Sequence, residues 1–179
     1  PTPIQEKIIP ELLNSNKDLI GLAQTGTGKT AAFGLPVIEK SDPDSRNIQT
    51  LVLCPTRELC MQVTGDLTEY SKYIEDFRVV AVYGGASAEV QIKSLKRGCQ
   101  VVVGTPGRVL DMIKRKSLNI SGIRWLILDE ADEMLNMGFK EDLNAILSGT
   151  PEGKRVLLFS ATMAREVEGD RDEAVARQG

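Results

Sequence analysis

The residues best suited to chemistry lie in two short segments about a hundred positions apart. The first, Ala23-Gln24-Thr25-Gly26-Thr27-Gly28-Lys29-Thr30, follows a strand-like run and leads into the helix-compatible Ala31-Ala32-Phe33. Glycines at 26 and 28 allow the backbone to wrap an anion with its N–H groups turned inward, and the dipole of the helix that begins there favours the same charge. Lys29 can reach β- and γ-phosphates, and the Thr30 hydroxyl can ligate Mg²⁺. The usual pattern opens on glycine, whereas this chain has Ala23. In the second segment Trp125-Leu126-Ile127-Leu128 runs into Asp129-Glu130-Ala131-Asp132. A carboxylate at the end of an apolar strand, downstream of a phosphate loop, is placed to organise Mg²⁺. Glu130 beside it is suited to orient and deprotonate a water for attack on the γ-phosphate. Together the two segments imply binding and hydrolysis of ATP or GTP.

The rest of the composition narrows the chemistry further. The 179 residues contain no histidine, which removes imidazole acid–base catalysis, histidine-based triads and histidine zinc sites. Cys54, Cys60 and Cys99 are odd in number and form no CxxC, so they read as buried thiols of a chain suited to a reducing, cytoplasmic setting. With 41% hydrophobic and 26% charged residues, the chain has the material for one well-filled domain. Its net charge of −3 argues against a nucleic-acid partner at whole-chain level, although a local patch can act against the average. No apolar run approaches the length of a membrane span, and no signal peptide opens the chain. The first residue is Pro1, and the chain is expected to be a piece of a longer protein.

Strand-like and helix-like stretches alternate along the chain. Strands are expected at Asp18–Ala23, Thr50–Cys54, Arg78–Tyr83, Gln100–Gly104, Arg124–Asp129 and Arg155–Ser160. Several are continuous Val/Leu/Ile runs, the pattern of strands covered on both faces. Helix-period stretches occupy Thr56–Ile74, Ser87–Arg97 and Thr105–Lys116. This order implies an α/β fold: an open, mostly parallel sheet with helices on both faces and right-handed crossovers. Ligands of such sheets bind beyond the carboxyl ends of the strands. The segments that fall there are Pro55-Thr56-Arg57, Gly84-Gly85, Thr105-Pro106-Gly107-Arg108 and Ser160-Ala161-Thr162. Singly, each is explained by helix capping and turns; together, on one edge, they point to a long ligand surface. Lys93, Lys96 and Arg97, and Lys114, Arg115 and Lys116, read as solvated helix faces. Residues 169–179 are charge-rich and expected to be a flexible tail or linker remnant, leaving 1–168 as the domain.

PTPIQ (Pro1–Gln5), AQTGTGKT (Ala23–Thr30), PTREL (Pro55–Leu59), GG (Gly84-Gly85), TPGR (Thr105–Arg108), DEAD (Asp129–Asp132) and SAT (Ser160–Thr162) occur in this order. The set resembles the first RecA-like domain of a DEAD-box RNA helicase, in which Ala23 is ordinary usage. The resemblance implies ATP and Mg²⁺ as cofactors, with Gln5 reading the adenine edge and residues Ala23 to Thr30 cradling the phosphates. It implies Thr30 and Asp129 for Mg²⁺, partly through water, and Lys29, Asp129 and Glu130 as the catalytic set. Pro55, Thr56, Arg57, Gly84, Gly85, Thr105, Gly107 and Arg108 would contact the RNA sugar-phosphate backbone. Asp132, Ser160 and Thr162 would couple nucleotide state to RNA grip. The full protein would then couple ATP hydrolysis to unwinding short RNA duplexes or remodelling RNA–protein complexes. The partners implied are RNA and a second RecA-like domain, with this piece itself monomeric.

The family's adenine-stacking aromatic lies upstream of PTPIQ, beyond Pro1, and its arginine fingers lie in the second domain. Residues 166–179 match the family poorly, so no role is carried beyond Thr162. Two other readings stay open on residues alone. One is a non-hydrolysing RNA clamp or adaptor, against which stand Lys29, Asp129 and Glu130. The other is a DNA-directed motor of the same superfamily, against which stand the DEAD tetrad and PTPIQ.

Overall fold

In the computed structural model the described residues are 1–24, 26–162 and 174–176. The strands are β1 (Leu19–Leu22), β2 (Thr50–Leu53), β3 (Val79–Val82), β4 (Val101–Gly104), β5 (Trp125–Leu128), β6 (Arg155–Ser160) and β7 (Ala174–Ala176). The first six fall inside the stretches expected from sequence. They form one seven-stranded sheet in the order β3-β4-β2-β5-β6-β1-β7, and every described pairing is parallel. Of the segment 169–179, read from sequence as a tail, the described residues Ala174–Ala176 pair beside β1 as an edge strand. The rest of that segment lies outside the described residues.

Successive side chains leave the sheet on opposite faces, and both faces are buried. On one face Val52, Val103, Ile127, Leu157 and Phe159 pack under α1 (Pro3–Asn14), α2 (Lys29–Glu39) and α3 (Arg57–Tyr70). On the other, Leu51, Leu53, Val102, Leu126 and Leu158 pack under α4 (Ala88–Lys96), α5 (Pro106–Lys114), α6 (Ala131–Asn136) and α7 (Lys140–Gly149). The uninterrupted apolar strands are therefore a direct consequence of two cores. In register, Leu53 lies opposite Gly104 and Leu128, Val82 opposite Gly104, and Leu22 opposite Ser160. The chain consequently leaves these strands along one edge of the sheet, and the motif residues lie on that edge.

Arg155, the first residue of β6, fastens α1 to this frame. Its guanidinium donates to the carbonyls of Leu12 (3.1 Å), Ser15 and Lys17 and lies 5.2 Å from the centre of the Trp125 ring. These acceptors include carbonyls that the end of α1 leaves without helical partners. Arg155→Ala should lower the unfolding free energy by roughly 3 kcal/mol, because buried carbonyls lose a charged donor. Urea denaturation followed by circular dichroism measures this, and an unchanged midpoint would contradict the fastening role.

Candidate active site

The loop after β1 is braced by α1. Thr2 caps that helix: its hydroxyl accepts from the Gln5 N–H (3.5 Å), and Gln5 Oε1 accepts from the Thr2 N–H (3.1 Å). Gln5 Nε2 donates to the Gly28 carbonyl at 3.1 Å, so one amide joins the helix to the phosphate loop. That amide keeps one further N–H and lone pairs for a ligand. Gly28 is the N-cap of α2, with φ +81°. A Cβ there would lie 2.6 Å from Gln5 Nε2, so both the left-handed backbone and the close approach demand glycine. Gly26, with φ +86°, turns the chain in the same sense. Ala23 is buried and donates to the Ser160 carbonyl (2.9 Å), and the Gln24 carbonyl accepts from the Thr27 hydroxyl (2.7 Å). Lys29 and Thr30 open α2; Thr25 lies outside the described residues.

β6 separates β1 from β5, and Lys29 reaches over its end to the acidic segment. Lys29 Nζ lies 2.9 Å from Asp129 Oδ1 and 3.7 Å from Glu130 Oε1. Lys29 and Asp129 are both buried, and among the described residues the Asp129 oxygens meet no well-aligned hydrogen-bond donor apart from the ion pair. Burial raises the Asp129 pKa; Lys29 opposes it, and Glu130 adds to the rise through its charge while its backbone N–H opposes it; the net direction is upward. An incompletely satisfied buried carboxylate beside a phosphate loop is a ready oxygen ligand for a divalent cation. Among the described residues no three Cys, Asp or Glu side chains form a metal cluster.

Glu130 is half-buried and holds φ +53°, ψ +52°, a left-handed conformation that costs a side-chain-bearing residue about 1–2 kcal/mol. Two residues on, Asp132 Oδ2 accepts from the Thr162 N–H (3.2 Å) and hydroxyl (3.0 Å). The Ser160 hydroxyl donates to the Thr162 carbonyl (2.5 Å). Burial would raise the Asp132 pKa, but the Thr162 hydroxyl and the N–H groups of Thr162 and Glu133 outweigh it and hold the carboxyl below its usual value. The residues expected to couple the two functions are thus in direct contact.

The remaining motif residues line the same edge towards β3. Pro55 is buried, and Thr56 caps α3 by accepting from the Leu59 N–H (3.2 Å). Thr105 occupies the N-cap position of α5 without making a capping bond. Arg57 is exposed, with its guanidinium 5.0 Å from the centre of the Tyr83 ring. Gly84, Gly85 and Gly107 are exposed. Arg108 Nη1 donates to the Ala86 carbonyl and to Gln91 Oε1, both at 3.0 Å, and Gln91 Nε2 donates to the Tyr83 carbonyl at 3.0 Å. Motif reasoning singles out neither Tyr83 nor Gln91. Gln91 lies four residues before Leu95 on the buried face of α4, and an amide at such a position is the signal that marks it. Lys93, Lys96, Arg97, Lys114, Arg115 and Lys116 are exposed as expected, and the cysteines are buried free thiols. No helix among the described residues is long and apolar enough to cross a membrane.

An all-parallel sheet sandwiched by helices, with a phosphate loop after one strand and a buried lysine–aspartate pair after another, defines a RecA-like nucleotide-binding domain. The chain belongs to the DEAD/DEAH box helicase family, whose model matches residues 2–169. It is 52% identical over 167 residues to the ATP-dependent RNA helicase DeaD of Escherichia coli strain K12, covering 93% of this chain and 26% of that protein. It is 58% identical over 162 residues to the ATP-dependent RNA helicase CshA of Listeria monocytogenes, covering 90% of this chain and 31% of that one. The crystal structure of a DEAD box protein from the hyperthermophile Methanococcus jannaschii superposes with a TM-score of 0.91 at 44% identity, covering 98% of this chain and 49% of the other. The chain thus spans between a quarter and a third of the curated relatives.

Lys29→Ala should leave Asp129 buried without its counter-charge and push its pKa further up. The unfolded carboxyl ionises near its ordinary value of about 3.9, so the added penalty is small below that pH and grows as pH rises towards the folded value. At neutral pH it should reach roughly 3 kcal/mol. Urea unfolding of both proteins at about pH 4 and about pH 7, close to and well above the unfolded ionisation, tests this. A deficit independent of pH would contradict the pairing.

Proposed function

We propose that this chain is the ATP-binding RecA-like domain of a DEAD-box RNA helicase. The observation that carries this is the buried Lys29–Asp129 pair at the phosphate loop, with Glu130 alongside. In this reading the backbone from Ala23 to Thr30 cradles the phosphates, and Lys29 turns from Asp129 to them. Thr30 and Asp129 would hold Mg²⁺, partly through water, and the ion would supply charge neutralisation for phosphoryl transfer. Glu130 aligns a water with the γ-phosphate and takes its proton. Gln5, already fixed on Gly28, offers its remaining donor and acceptor to the adenine edge, favouring ATP over GTP.

The edge from Pro55 to Arg108 takes the RNA sugar-phosphate backbone. Its arginines and exposed glycine backbone read charge and shape rather than base identity. This explains how a chain with net charge −3 binds a polyanion. The Asp132–Thr162–Ser160 contacts link the two sites. The relatives named above are ATP-dependent RNA helicases and are several-fold longer. We place this domain in a longer protein whose second RecA-like domain completes both sites and supplies arginine fingers. That protein unwinds short RNA duplexes or remodels RNA–protein complexes in the cytoplasm, where free thiols persist. The domain itself acts as a monomer.

On its own the chain should bind ATP and turn it over slowly. Joined to a second RecA-like domain, it should gain RNA-stimulated hydrolysis by roughly 10³–10⁵-fold, the range an arginine finger contributes. Glu130→Gln in the joined protein should lower the hydrolysis rate by about 10²–10⁴-fold and leave ATP binding in place. Brisk RNA-stimulated turnover by the chain alone, or turnover indifferent to Glu130→Gln, would overturn the assignment. Gln5→Ala should weaken ATP binding and blunt discrimination against GTP, measured by competition with a fluorescent nucleotide. An unaltered ATP/GTP ratio would refute the adenine-reading role.

A further inference from the structure

We propose that Gln91, a residue of α4 outside the strand-end motifs, is a positioning residue that holds the Arg108 guanidinium ready for an RNA phosphate without cancelling its charge. The inference rests on reading this edge as the RNA face. Gln91 is buried, with 7% of its surface exposed, and its amide is used at both ends. Nε2 donates to the Tyr83 carbonyl and Oε1 accepts from Arg108 Nη1, each at 3.0 Å. A buried amide is unfavourable unless bonded in this way, so the polar bridge is a specific feature of the site and more than filling.

The identity of the partners matters more than their number. Arg108 is held by a carbonyl and an amide, and Arg57 by the Tyr83 ring. Among the described residues neither arginine forms an ion pair with a carboxylate. A carboxylate at position 91 could fix Arg108 equally well, but it would neutralise the charge that a phosphate must meet. An amide of the same length fixes the orientation and leaves the charge. The hydrogen bonds described for Arg108 all use Nη1. The Nε–H and Nη2–H₂ edge then remains as the fork that grips a phosphate with two parallel bonds. Through Tyr83 the same bridge ties Arg108 to the residue that carries Arg57, so the two cations, from the starts of α3 and α5, share one support.

The test uses a short fluorescein-labelled oligouridylate and anisotropy titrations over a range of salt concentrations, with the chain and its variants. Gln91→Met keeps length and volume while removing both polar ends. It should weaken RNA binding by roughly tenfold, as expected for losing the support of a charged hydrogen-bond donor. Arg108→Ala should weaken it at least as much, and the double variant should bind no worse than Arg108→Ala alone. Gln91→Glu should bind more weakly with a salt slope shallower by about 0.7, the equivalent of one phosphate contact on a single strand. A role in packing alone moves neither the double-variant comparison nor the slope. Should Gln91→Met fail to fold by circular dichroism, the Gln91→Glu slope decides, and an unchanged slope overturns the proposal. Full loss with Arg108→Ala but wild-type binding by Gln91→Met overturns this inference and leaves the RNA face standing. Wild-type binding by Arg108→Ala overturns the RNA assignment and, with it, the role of Gln91.

Discussion

Parallel strands cannot be joined by hairpins; each must be followed by a crossing segment that returns the chain to the sheet's opposite end. Every described pairing here is parallel, and this constraint governs the rest of the architecture. The returning helices have to lie on the sheet, so both faces become cores and the strands become continuously apolar. The exits of β1 to β6 gather on one edge, so residues far apart in sequence become neighbours there. Lys29 meets Asp129 only because β1 and β5 flank β6 and end together.

A second regularity concerns charge. At the strand-end edge, the charged groups are paired sparingly. Asp129 is buried and, among the described residues, paired with the single cation Lys29, which leaves its carboxylate incompletely satisfied. The two arginines of the neighbouring edge rest on a ring, a carbonyl and an amide. Elsewhere, charges are quenched by ordinary means, as in the exposed Arg115–Asp111 pair within α5 and its C-cap, at 3.1 Å. The net charge of the whole chain conceals this local arrangement.

Much of this was legible in the residues. The strand positions followed from Val/Leu/Ile runs, and the phosphate loop and acidic tetrad from spacing. What could not be read was set by contacts distant in sequence. α1 contains Pro10, which weakens any helical reading, and its placement depends on Arg155 more than a hundred residues later. Gln91 carries no motif signature, because its role comes from Tyr83 and Arg108 on other elements. Thr56 and Thr105 look alike in sequence, yet Thr56 caps its helix and Thr105 does not. The edge strand β7 lies in a segment whose composition reads as a tail, because three residues beside an existing strand need little apolar surface of their own.

The left-handed backbone at Glu130 has a consequence for anyone seeking a sturdier version of this domain. Selection for stability alone would favour glycine at 130, which adopts that conformation without the steric penalty. The carboxylate would vanish with the strain. If Glu130 aligns the attacking water as proposed, thermostabilised descendants chosen without an activity screen should drift towards a well-folded domain without that carboxylate. On that proposal, position 130 would show the exchange between robustness and function at a single residue.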